Sequence, residues 1–342
     1  MEALNEFADF LMNTVTVSDA SHQTSKEYNG VFSFLLRQQE AENVSAPLVT
    51  QSHAIIDIYL DAVIACRKDD FVTADRLLAE ADELLTLLPP HIPMPKLFKL
   101  SAWGNYFYKT GEWDRAIAML KEGLFISAEL ERKGYPALIF RRIEQLQNIA
   151  RIYQKKGDFE SANNLLKNSI IFLYSGRANG LIIEDWDYKL IRQVRLLQEN
   201  TLDAVFNQLA QLNSLLIAHQ EYNDEYFCRH FFSTFLEDMP ADLYNRVIIY
   251  NWMFIKNSYF NDGEEAYFKN LTAFFEDTEI SSTYDHLKAN LLTQVVWCVA
   301  NCKEEDESLV VRKIRDYAAM HLKDFTGKPF KIVPERSVLV KH

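Results

Sequence analysis

The sequence predicts an all-α fold, a stack of helix hairpins closed by a short extended C-terminal arm, and three observations carry that expectation. The first is internal repetition. Trp103-Gly104-x-x-Phe107-x-x-x-Gly111-x-Trp113-x-x-Ala116-x-x-x-Leu120-x-x-Gly123 is followed by Ile149-Ala150-x-x-Tyr153-x-x-x-Gly157-x-Phe159-x-x-Ala162-x-x-x-Leu166-x-x-Ser169, almost position for position. A looser copy precedes them at Ala62, Ala65, Asp69, Phe71, Ala74, Leu78 and Ala81. Repetition at such a period marks stacked helical units. The second observation is the scarcity of strand signals: alternating patterns are rare, and only 10 glycines occur in 342 residues. The third is an apolar content of 48%, with 13% aromatics, enough for a sizeable core.

The elements follow in order. Residues 1–14 read as a short amphipathic helix carrying Leu4, Phe7, Phe10 and Leu11. A polar stretch from Thr14 to Gly30 reads as a loop, residues 31–42 as a helix, and Pro47 as a break. The repeats span about 50–175. Their small residues (Gly104 and Ala150, Ala116 and Ala162) let two antiparallel helices approach, while Phe107, Tyr153, Trp113 and Phe159 fill the flanks. Lys-Thr-Gly111-Glu and Lys-Lys-Gly157-Asp supply a glycine able to take positive φ where the first helix ends. The acid that follows favours the positive end of the next helix. Ser175–Gly180 is a turn cluster and the candidate internal boundary. Beyond it, helices are expected near 185–199, 201–220, 222–237, 241–259, 263–276, 282–302 and 306–323. Of these, 241–276 reads as a degenerate hairpin with Ala266 and Ala273 in the small positions. The last stretch carries two prolines and β-branched residues, with five Lys/Arg against Asp324 and Glu335 between Lys323 and Lys341. It reads as a tail packed over the last helix, or as an arm docking onto a partner or a second copy. The expected organisation is therefore N-terminal helices and loop (1–48), hairpins (49–176), further hairpins (177–324) and tail (325–342).

The small and aromatic positions of the hairpins resemble those of the tetratricopeptide repeat family. The resemblance is specific for two units and looser for the third, all within residues 50–175. It implies helix–turn–helix units stacked into a right-handed superhelix that binds peptides or protein segments in its concave groove. One departure is clear: Ala74 to Ala116 is 42 residues and Ala116 to Ala162 is 46, against a family period of about 34. Pro89-Pro90-His91-Ile92-Pro93-Met94-Pro95 accounts for part of the excess. Such long units look like those of bacterial peptide-responsive regulators, although no helix-turn-helix DNA-binding domain is evident.

The resemblance places binding residues on the first helix of each hairpin. Counting back from the turn, they are Ser101, Asn105, Tyr108 and Lys109 in one unit and Gln147, Asn148, Arg151, Gln154 and Lys155 in the next. Tyr59, Val63, Cys66 and Arg67 are the counterparts in the loose first unit. Amides pair with a peptide backbone, and Lys and Arg with carboxylates. The bland reading of the same strip is a solvated face.

Other chemistry is weakly signalled. The net charge of −12 argues against general nucleic-acid binding, which needs basic surface against phosphate. The N-terminus lacks the features of a signal peptide, and no uncharged apolar run reaches the roughly 18–20 residues of a membrane span. Four cysteines in so long a chain do not suggest a disulfide scaffold, so a cytoplasmic setting is the expectation. Nucleotide-cradling glycine motifs, His-Glu-x-x-His and Cys-x-x-Cys are all missing, and neither a cofactor nor a metal is expected. Cys298 and Cys302 lie i,i+4 and read as core. Cys228 and His230, two apart on a helix, cannot face each other as a nucleophile pair. Glu184-Asp185-Trp186-Asp187 reads as a helix start, with a cation site as the sharper alternative. The aromatic run Tyr250, Trp252, Phe254, Tyr259 and Phe260 reads as core, with an interface as the alternative.

Three function classes stay open. The leading one is a non-catalytic adaptor that holds a peptide or partner protein in the groove. The second is a peptide-sensing regulator that changes shape and controls a partner protein. The third is an enzyme on a helical scaffold. The partner expected is a protein or peptide, not a nucleic acid or a membrane, and a homodimer is left open.

Overall fold

A computed structural model describes residues 2–13, 21–217, 247–277, 280–301, 307–324, 327–330 and 332. Among them lie fourteen α-helices and no strand. The chain divides into two compact units, one of residues 27–202 and one of residues 1–26 with 203–342.

The 27–202 unit holds three hairpins in chain order: α3 (Ala46–Arg67) with α4 (Phe71–Leu85), α5 (Met94–Lys109) with α6 (Trp113–Arg132), and α7 (Leu138–Lys155) with α8 (Phe159–Ser175). Their three turns are built alike. Asp69, Gly111 and Gly157 take φ of 59°, 84° and 78°. The next amide then reaches back across the helix end in each case: Asp70 to the Ala65 carbonyl at 3.0 Å, Glu112 to Phe107 at 2.8 Å, and Asp158 to Tyr153 at 2.9 Å. These bonds satisfy carbonyls that a helix end leaves free. Asp70 and Asp158 then cap the second helices, accepting from the Thr73 and Ser161 amides at 3.1 Å each. The small positions are the close contacts: Ala62, Ala74, Ala116 and Ala162 are fully buried, and a Cβ on Gly104 would lie 3.3 Å from the Leu120 side chain.

Successive hairpins meet in register. Ile55, Tyr59, Ala62, Leu78, Ala81 and Ala102 form a shared cluster with Trp103 and Tyr106 against it. Asp82 of α4 ties three helices, accepting from the Tyr59 hydroxyl at 2.6 Å, Lys99 Nζ at 2.8 Å and Trp103 Nε1 at 3.3 Å. Asp69–Lys109 at 2.9 Å, Ser101–Arg141 at 2.8 Å and Asp114–Lys156 at 2.6 Å link one hairpin to the next across 40 to 42 residues.

The expected loop from Thr14 to Gly30 is corrected in part: α2 (Ser21–Asn43) is helical from Ser21 onward. An exposed mid-helix glycine such as Gly30 costs only about 1 kcal/mol. Packing further along offsets this: Leu36 joins Ile56, Met94, Leu97, Leu130, Tyr135 and Leu138 in one cluster. Glu40 is buried, accepting from Ser52 at 3.0 Å and pairing with His53 at 2.7 Å. By length and composition α3 is apolar enough to cross a membrane. It carries Asp57 and Asp61, however, and buries Ile55, Tyr59, Ala62 and Cys66 against its neighbours.

After α8 the chain returns to the same unit. Asp187 caps α9 (Tyr188–Gln193) by accepting from the Lys189 amide at 2.9 Å, and α9 packs on α7 and α8. The helices expected at 185–199 and 201–220 are corrected: the break falls at Val194, and α10 (Arg195–Ile217) runs unbroken.

The other unit is built on aromatics. Phe7 of α1 (Glu2–Asn13) meets Phe268 at 5.9 Å and Phe275 at 5.8 Å, both on α12 (Glu264–Glu276). Phe275 in turn meets Tyr317 of α14 (Glu307–His321) at 5.8 Å. α11 (Val247–Asn261) and α12 form a hairpin, but its expected small-position packing is corrected: Ala273 is exposed and Ala266 only half-buried. Trp252 is buried as expected, whereas Tyr250 and Phe254 are exposed. On α13 (Asp285–Asn301), Asn290 donates to Asn213 at 2.8 Å, to Ser214 at 3.0 Å and to the Ala210 carbonyl at 3.1 Å. The start of the tail folds back: Lys323 and Pro329 form an isolated antiparallel bridge, Asp285 accepts from the Lys323 amide at 2.8 Å, and Phe330 packs on His286 at 4.8 Å. The helix expected at 222–237, with Cys228 and His230, and most of the tail lie outside the described residues.

Candidate ligand-binding strip on α5 and α7

α5 and α7 carry the expected strip and are tied to each other at Ser101 and Arg141. Ser101 accepts from Arg141 Nη2 at 2.8 Å while donating to the Leu97 carbonyl at 3.3 Å. Arg141 also lies over the Phe98 ring at 4.3 Å. One turn on, Asn105 is half-buried, and its Oδ1 is enclosed without a hydrogen-bond partner. Tyr108 follows, within electrostatic reach of Arg151 of α7. Arg151 donates to Asn148 Oδ1 at 2.6 Å. Burial pulls its guanidinium below the usual range, Glu144 and Tyr108 pull it back up, and Arg67 pushes it down again. Lys109 is held by Asp69 at 2.9 Å. Gln154 is half-buried and Lys155 exposed.

Some strip residues sit elsewhere. Gln147 is buried in the packing of α7. In the first hairpin Tyr59 and Cys66 are buried and Val63 packs into the α3–α5 cluster, so only Arg67 is exposed. The reason is that α3 packs directly on α5, and that contact consumes the face that lies open on α5. Burial pushes the Cys66 thiol above its ordinary range, with Lys109 opposing. Sequence reasoning missed Arg141 and Glu144. Glu144 could have been found, since it stands three residues before Gln147 and four before Asn148 on the same helical face.

Elsewhere some buried titratable groups tie the helices together. Glu131 of α6 and Arg142 of α7 pair at 2.7 Å, both buried. Arg142 also donates to the Asp185 carbonyl and lies 3.8 Å over the Trp186 ring. Asp185 pairs with Arg132. In the other unit a hollow of about 190 Å³ is lined by Asn251, Phe254, Asn270, Ala273 and Asp277 among others, below the roughly 300 Å³ at which ligand pockets begin. Comparison with family models, with curated proteins and with solved structures gives no match.

Proposed function

We propose that this chain is a non-catalytic, tetratricopeptide-like helical-repeat protein that holds a peptide or a segment of a partner protein along α5 and α7. The carrying observation is the Asn105 Oδ1, an enclosed acceptor without a partner, flanked along its helix by Ser101 and Tyr108. An unsatisfied acceptor costs about 1–3 kcal/mol; because it is enclosed, the half-buried Asn105 side chain has to turn outward before a peptide N–H laid along the strip relieves it. Arg151, held by Asn148 and not paired to a carboxylate at hydrogen-bond distance among the described residues, then serves an acidic group of the same ligand. The like-built turns and the ties between hairpins at 40–42 residues favour a continuous array, the scaffold on which such a strip is extended.

The test is a crosslinked pull-down from the native cell with mass spectrometry, run beside an Asn105→Ala/Arg151→Ala variant of native helicity. A stoichiometric partner captured by the wild type and lost in the variant upholds the reading. Equal capture by both refutes it.

A further inference from the structure

We propose that α2 is a brace: docked across the starts of the inner helices, it fixes the spacing between the first and third hairpins, and its release lets α3 and α7 spread. In a repeat array each unit touches its neighbours, and the small rotation from one unit to the next sets the curvature of the inner face. An element that binds the first unit to the third fixes two such steps at once. Neighbouring residues of α2 reach to opposite sides in this way. Glu40, buried, accepts from Ser52 at 3.0 Å and pairs with His53 at 2.7 Å, both on α3. Gln39 Oε1 accepts from the Ala137 amide, at the start of α7, at 3.3 Å. One turn on, Asn43 lies against Gly134, where an added Cβ would stand 3.2 Å from the Asn43 amide nitrogen. One turn before, Leu36 shares a cluster with Ile56 of α3, Met94 and Leu97 of α5, Leu130 of α6 and Leu138 of α7.

Two further observations make this a releasable brace rather than a fixed core helix. Its hold is slight: of residues 31–43, Leu36 and Glu40 alone are buried, and Phe34 is 66% exposed. At the far ends of the braced helices, Arg67 of α3 and Arg151 of α7 stand within electrostatic reach of each other. Like charges there favour spreading, which the ties at the near ends resist. The inference concerns the scaffold and does not rest on the proposed ligand.

Double electron–electron resonance on the full chain reads the spacing, with nitroxides at Ile64 and Lys155, both exposed. The labels are attached through a ketone-bearing unnatural residue, so that the native cysteines stay unlabelled. Ile64 lies about 17 Å along α3 from His53, so a swing of about 15° displaces it by about 4 Å. Leu36→Asp puts a charge into the shared cluster, whereas Gln39→Ala cuts the tie to α7 alone. In Leu36→Asp, α2 is expected to lose its hydrogen-exchange protection while α3 to α8 keep theirs, and the distance distribution is expected to widen by about 4 Å or more. Gln39→Ala is expected to widen it less, with every helix still protected. Unchanged distributions in both variants overturn the inference. So does an α2 that stays as protected as α3 in Leu36→Asp, since the named contacts would then not be what holds it. Should Leu36→Asp unfold the unit, Gln39→Ala decides alone: widening upholds the brace and an unchanged distance overturns it.

Discussion

Replacing Glu131 by glutamine removes an ion pair, and the protein is expected to become more stable for it. The pair is buried on both sides, with 0% of the Arg142 side chain and 6% of the Glu131 side chain exposed. Burial pushes the Glu131 carboxyl up to about 7, against the pull of Arg142. The ordinary value is 4.5, so the folded state holds this proton more tightly than the unfolded one. The stability contributed by the group is therefore full below 4.5 and is lost as pH rises through about 7. The gap amounts to roughly 3 kcal/mol. Glutamine cannot ionise and keeps an oxygen for Arg142 to donate to. Glu131→Gln is thus expected to exceed wild type by roughly 3 kcal/mol at pH 8 and by only about 1 kcal/mol at pH 5. It runs against the usual outcome, a loss of about 3–5 kcal/mol when one charge of a buried pair is removed and the other left alone, because burial here outweighs the pull of Arg142 on the carboxylate. Urea unfolding at both pH values, read by circular dichroism and by tryptophan fluorescence, supplies the comparison. A glutamine variant less stable than wild type at pH 8, or an advantage that does not shrink at pH 5, would refute the reasoning.

Four smaller perturbations probe the hairpins. Gly157→Ala is expected to cost about 1–2 kcal/mol in thermal unfolding, because φ there is 78° and a Cβ is strained in that region. Asp69→Gly, at the equivalent turn, is expected to gain up to about 1 kcal/mol, since the exposed Lys109 bridge it gives up is worth less than that. Asp82→Ala removes one acceptor from three donors and is expected to lower stability by about 2–3 kcal/mol in urea, with Trp103 fluorescence reporting the loosened joint. Gly104→Val overfills the contact with Leu120 and is expected to cost about 1–3 kcal/mol; a neutral outcome would mean that α5 and α6 are not in close approach there.

Fold class and the hairpins were legible because their chemistry is local. Glycine at 111 and 157 and small residues at 104, 116, 150 and 162 each answer to a geometric need set within a few residues. The Asp69 turn was legible only by alignment with the other two, since nothing in aspartate itself demands positive φ. Where the reading failed, distant packing decided. Gly30 reads as a loop locally, but α2 is anchored by Leu36 and by the buried Glu40 with Ser52 and His53, contacts that no local pattern encodes. The break at Val194 likewise depends on how α9 packs on α7 and α8.

The candidate site divides in the same way. The repeat resemblance put Asn105 and Tyr108 on one first helix and Asn148 and Arg151 on the next, and these are α5 and α7. It could not reveal that Gln147, Tyr59 and Cys66 are consumed by packing, because the same spacing serves an open face and a packed one. What separates them is the neighbour: α3 is covered by α5, whereas α5 is tied to α7 by the hydrogen bond between Ser101 and Arg141. A polar joint of that kind stabilises less than the apolar α3–α5 joint, and its polar groups remain able to exchange one partner for another. The proposed strip therefore falls at a joint with less apolar packing than the α3–α5 one, so a ligand bound there would cost the fold less.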